Sequence, residues 1–177
     1  MPPTEDGRPI DRNDRKGKRI LSPSDVTGTL RENYRFSQYQ VVQYLAEHLT
    51  DCRRAVGGDL DDVMILAVLG QRALGAVYER KGQAELVEEK AYMSALRIAD
   101  VTGIPRESTR RKLVRLAGRG WVEQHTSLGW RLAGKVGQTQ VSRDLADVNQ
   151  RGMDRLGRMI AALLPLFLRG EEPESRD

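Results

Sequence analysis

The chain has 177 residues, 39% of them hydrophobic, 5% aromatic and 31% charged, with a formal net charge of +4. That balance suits a charge-rich globule with a modest aliphatic core, and the mild positive charge permits a nucleic-acid or membrane-surface partner without requiring either. The single cysteine, Cys52, excludes an internal disulfide and a thiolate zinc site, and no run of residues is apolar enough to cross a bilayer.

In chain order, residues 1–30 mix charges of both signs with four prolines and lack sustained periodicity, so they read as a largely disordered tail. The start has no apolar segment of the kind a secretory signal needs. The basic run Arg15-Lys16-Gly17-Lys18-Arg19 reads as part of the solvated tail rather than as a phosphate-binding arm.

Residues 31–93 read as helices serving the core or dimerisation. Tyr34, Val41, Leu45, Leu49, Cys52 and Val56 fall at helical spacing, and Gly57-Gly58 ends that first helix. A second helix begins near Asp59, with Asp61 and Asp62 in its first turn, where carboxylates suit the helix dipole. Its middle, 63–69, is apolar almost all round. After a break at Gly82, residues 84–92 read as a further short helix.

Residues 94–132 carry the functional signal. Ser94 caps a short helix in which Ala95, Ile98 and Ala99 face inward, and Gly103 allows a tight turn. Pro105 suits the first position of a second helix over 106–119, where Thr109, Leu113 and Leu116 are spaced to pack on the first. Gly120 ends it. Residues 121–125 and 130–132, separated by Thr126-Ser127-Leu128-Gly129, then form a short β-hairpin. Helix, glycine turn, helix and hairpin make a helix-turn-helix followed by a wing.

Charge points this element toward double-stranded DNA. From Arg97 to Arg119 seven basic residues stand against two acidic ones, an excess of five that exceeds the +4 of the whole chain. Phosphate neutralisation needs such a patch. Arg106, Arg110 and Arg111 are the candidates for reaching base edges, because a guanidinium fork can pair with guanine. Ser108 and Lys112 suit phosphates, and Arg115 adds to the patch.

The residues Ile98-Ala99, 102–113, Leu116 and 119–122 resemble the winged-helix core of bacterial regulators of the MarR and GntR families. The long helices on either side resemble the MarR arrangement, in which terminal helices form the dimer interface. The resemblance implies that Arg106, Glu107, Ser108, Arg110 and Arg111 enter the major groove or touch its phosphates. It also places Gln124, His125 and Ser127, with Arg131 behind them, near the backbone or minor groove.

Beyond a Gly-rich connector, Ser142 reads as the N-cap of a last helix extending to 169. Its apolar stripe is Leu145, Val148, Leu156, Met159, Ile160, Leu163 and Phe167, with Gly152 on the same face and Pro165 as a kink or stop. Packing with the first two helices and with a second copy of the chain would cover that stripe, hence an expected homodimer; residues 170–177 read as a flexible tail.

Other signals fall away. Gly129 to Val136 nearly spells a phosphate-binding loop, but Val136 stands where its magnesium-binding hydroxyl is needed. His48 and His125 have no partners with metal-ligand spacing, and no nucleophile motif appears. The expectation is a mainly α protein with a β-hairpin wing: a non-enzymatic, cytoplasmic, nucleoid-associated DNA-binding regulator with no cofactor, no metal and no membrane partner. A small-molecule effector pocket between the wing domain and the long helices is left open, and no residue set points to a ligand class. A protein-interaction scaffold, or a DNA-binding module in replication or plasmid maintenance, are the alternatives.

Overall fold

The computed structural model describes residues 21–79 and 88–168, and the expectations for the first twenty residues, for Gly82 and for the last nine lie outside them. The described chain is mainly helical with two small antiparallel hairpins. It forms two compact units, one of Met1–Val42 with Met159–Asp177 and one of Gln43–Arg158.

The first helix lies where a tail was expected. In α1, Pro23–Glu32, the Ser22 side chain accepts from the Asp25 N–H while the Asp25 carboxylate accepts from the Ser22 N–H, a reciprocal cap, and Pro23 presets the first turn. Asn33 separates it from α2, Tyr34–Val56. Gly57 (φ 93°) and Gly58 (φ 100°) close α2, with the Gly58 N–H donating to the Arg53 carbonyl at 2.7 Å.

Helix α3, Leu60–Glu79, follows at once, and the Asp59 carboxylate accepts from the Asp61 N–H at 3.0 Å. Ile65 and Leu69 are fully buried. They join Ile98, Leu113, Leu116, Trp121, Val122 and Trp130 in one cluster, the principal core of the larger unit. Each such aliphatic side chain contributes roughly 1.5–3 kcal/mol by leaving water.

Helix α4, Ala95–Thr102, starts at Ser94, whose Oγ accepts from the Arg97 N–H at 3.2 Å, and ends at left-handed Gly103 (φ 72°). Helix α5, Arg106–Gly118, begins one residue later than the proline-first expectation: Pro105 is the cap, its carbonyl accepting from the Thr109 N–H. Strands β1, Val122–His125, and β2, Gly129–Leu132, pair antiparallel, with Val122 opposite Leu132 and His125 opposite Gly129. Met93 adds a one-residue bridge by exchanging two 2.8 Å backbone hydrogen bonds with Trp130.

The connector is more ordered than its glycines suggested. Strands β3, Gly134–Lys135, and β4, Gln138–Thr139, form a second hairpin. Thr139, not Ser142, caps the next helix, and the last long helix is divided into α6 (Gln140–Asp144), α7 (Ala146–Leu163) and α8 (Pro165–Leu168). Pro165 opens α8, in keeping with its missing N–H. Within the larger unit α7 approaches α2 at Gly152, where a Cβ would lie 2.7 Å from His48 Cε1. Beside this approach Arg155 and Arg151 bind Asp51 at 2.6 and 2.9 Å and hold its carboxyl down at about 2.

Candidate nucleic-acid interface

Helix α5 is amphipathic in a literal sense: one face is anchored and the other is open. Thr109, Leu113 and Leu116 are fully buried beneath it. Thr109 sits in the core because its hydroxyl donates to the Ile104 carbonyl at 3.3 Å, so the polar group enters the interior satisfied. On the outer face Arg106, Glu107, Arg110 and Arg111 are exposed, and Ser108 is half-buried.

The cations divide into paired and unpaired groups. Arg110 binds Glu107 through two hydrogen bonds, at 2.8 and 3.1 Å, which lowers the Glu107 pKa and raises that of Arg110. Both side chains are mostly exposed, so this pair is weak and easily exchanged for a ligand. Arg111 reaches only the Ser108 hydroxyl at 3.4 Å, and Arg106 has no ion pair or hydrogen bond through its side chain among the described residues.

Lys112 is withdrawn from the open face, and Arg115 is exposed but paired. Lys112 pairs with Asp59 and Asp61, and its side chain is only 15% exposed. Burial opposes its charge, yet the hydrogen bonds to the two aspartates outweigh this and keep the ammonium above its ordinary pKa. Arg115 binds Asp59 at 2.8 Å and the buried Asp62 at 2.6 Å. Asp59, hydrogen-bonded by Lys112 and Arg115, is lowered to about 2. Lys112 and Arg115, expected to serve phosphates and the basic patch, thus clamp α5 onto the start of α3 through Asp59, Asp61 and Asp62. With the three aspartates counted, seven cations face five anions, and the excess of five becomes two.

The hairpin divides in the same way. Gln124, His125 and Ser127 are exposed at its tip, where His125 Nδ1 accepts from the Ser127 and Leu128 N–H groups, both at 3.3 Å, and organises the turn. Arg131 is turned inward, paired with Glu88 and with Glu123 at 2.6 Å and lying 4.8 Å from the Tyr92 ring centroid. It holds the hairpin to the segment before α4. Arg119, at the far end of α5, donates to the Val56 carbonyl at 2.8 Å and stacks 3.6 Å from the Trp121 ring centroid.

Sequence reasoning missed the aspartates as partners, since Asp59 and Lys112 are 53 residues apart and an acidic first turn is explained by the helix dipole alone. A cavity of about 430 Å³ lies in the larger unit among α2, α3, β2 and α6, with Cys52, Ala67, Leu132 and Leu145 in its walls and no Asp, Glu, Lys or Arg lining it. Burial raises the Cys52 thiol above its ordinary pKa. Among the described residues no cluster of His, Cys, Asp and Glu could hold a metal ion, and no helix is long and apolar enough to cross a membrane.

Compared with known protein families, curated proteins and solved structures, the chain matches none of them.

Proposed function

We propose that the chain is a sequence-specific DNA-binding transcriptional regulator. In this reading α4, the Gly103 turn, α5 and the β1–β2 hairpin act as a winged helix-turn-helix, MarR-like in arrangement. The observation that carries it is the open face of α5. Arg106, Arg110 and Arg111 stand exposed on a helix whose opposite face is locked by Thr109, Leu113 and Leu116. A rigid helix presenting guanidinium forks meets the geometric demand of major-groove reading. Gln124, His125 and Ser127 at the hairpin tip serve the adjacent backbone or minor groove.

The protein acts as a homodimer in this account. Tyr34, Tyr39 and Val42 of α2, all in the smaller unit, are each at least 50% exposed, an apolar burden that a second copy would cover. Two copies would read half-sites about one helical turn apart, ~34 Å. The same exposed face is what favours a second reading, a protein-interaction scaffold that binds no DNA. The site of action would be the bacterial nucleoid.

Selection of fragmented genomic DNA by the purified protein separates the two. Enrichment of a two-fold-related motif supports the regulator. No enrichment at low salt, with a different protein co-purifying, supports the scaffold.

A further inference from the structure

We infer that the cleft between α3 and α4 is a binding site for a phosphate-type oxyanion, held by Arg72 and Arg97. The cleft has a volume of about 600 Å³ and is lined by Arg72 and Gln71 of α3, Tyr92 and Ser94 of the connecting segment, and Arg97 of α4. Among the described residues its lining contains two cations and no carboxylate.

Several cations of the unit are already held by carboxylates, whereas Arg72 and Arg97, like Arg106 and Arg111 on α5, are not. Lys112, Arg115, Arg131, Arg151 and Arg155 are each satisfied by one or more carboxylates. Arg72 is half-buried, yet its side chain has no hydrogen bond or ion pair among the described residues, and neither does that of Arg97. Arg72 is half-buried and Arg97 exposed, so both guanidinium groups are left with donors to offer a ligand. A tetrahedral oxyanion suits them, because its oxygens accept from two guanidinium forks at once. The Ser94 hydroxyl accepts from the Arg97 N–H and keeps its own proton free to donate, and Gln71 supplies a neutral donor.

The oxyanion has two sources with the same chemistry: a backbone phosphate of duplex DNA flanking the site read by α5, or a free phosphate compound. Only the first rests on the proposed function.

Thermal unfolding in phosphate and in chloride at equal ionic strength, for the wild type, Arg72→Gln and Arg97→Gln, tests the site. Phosphate raises the wild-type Tm above its value in chloride, and either substitution abolishes the difference. In chloride the variants melt no lower than the wild type, because an unpaired cation has been removed; a merely structural arginine would lower Tm in both salts. The salt dependence of duplex DNA binding then identifies the source. A slope of log K against log salt reduced by about one in Arg72→Gln assigns the cleft to the DNA backbone. An unchanged slope with the phosphate effect intact assigns it to a free anion. Failure of the wild type to bind DNA sinks the regulator reading and leaves the phosphate comparison to decide the cleft. No excess stabilisation by phosphate together with an unchanged slope overturns the site.

Discussion

Replacing Lys112 by Met separates a structural cation from a DNA-binding one. The methionine keeps the side-chain stem under α5 and deletes the charge that meets Asp59 and Asp61. The displacement of Asp59 from 3.8 to about 2 corresponds to about 2 kcal/mol of preference for the charged carboxylate. That preference is shared among Lys112, Arg115 and the Asp61 N–H, and it is screened because the carboxylate is 30% exposed. The part belonging to Lys112 is about 1 kcal/mol, worth roughly 2–4 °C in Tm for a chain of this length. A carboxyl lowered by folding stabilises the fold above its ordinary pKa and stops doing so as pH falls to its folded value. Urea unfolding should therefore show a stability gap between wild type and Lys112→Met at pH 7 that closes between about pH 4 and pH 2. A gap that persists undiminished through that window would refute the Asp59 clamp. So would unchanged stability at pH 7 accompanied by a weaker salt dependence of DNA binding.

Two glycines give further tests. Gly129 has φ +102°, and a Cβ there would sit 2.5 Å from the Met93 carbonyl oxygen, so Gly129→Ala should cost about 3 kcal/mol and remove amide protection at Met93 and Trp130. Intact protection at both amides would count against the bridge. Gly152→Ala should cost about 1–3 kcal/mol by pressing on His48, and a companion His48→Ala substitution should recover part of that loss. Additive losses in the double variant would show that the two residues do not meet.

The legibility of the chain followed the range of the interactions. Ser94, Gly103 and the 109–113–116 row are set by contacts within a turn or two, and their placement follows from cap, turn and helix period. Residues 23–32 carried an equally local signal, the Ser22–Asp25 reciprocal cap, but proline and mixed charge obscured it. Ser142 looked like a cap because nothing in the string reveals that β4 delivers Thr139 to that role three residues earlier. The fates of Lys112, Arg115 and Arg131 were not legible at all. Each depends on a carboxylate from another element, at Asp59, Asp62 and Glu88, and summed charge does not distinguish a cation facing water from one facing an aspartate.

The open face of α5 is tested most directly by the salt dependence of binding to a selected duplex. The account predicts strong binding that weakens linearly in log salt, with Arg106→Ala and Arg111→Ala each losing affinity and Lys112→Met keeping the wild-type slope. Salt-independent or absent binding, or a loss confined to Lys112→Met, would contradict it.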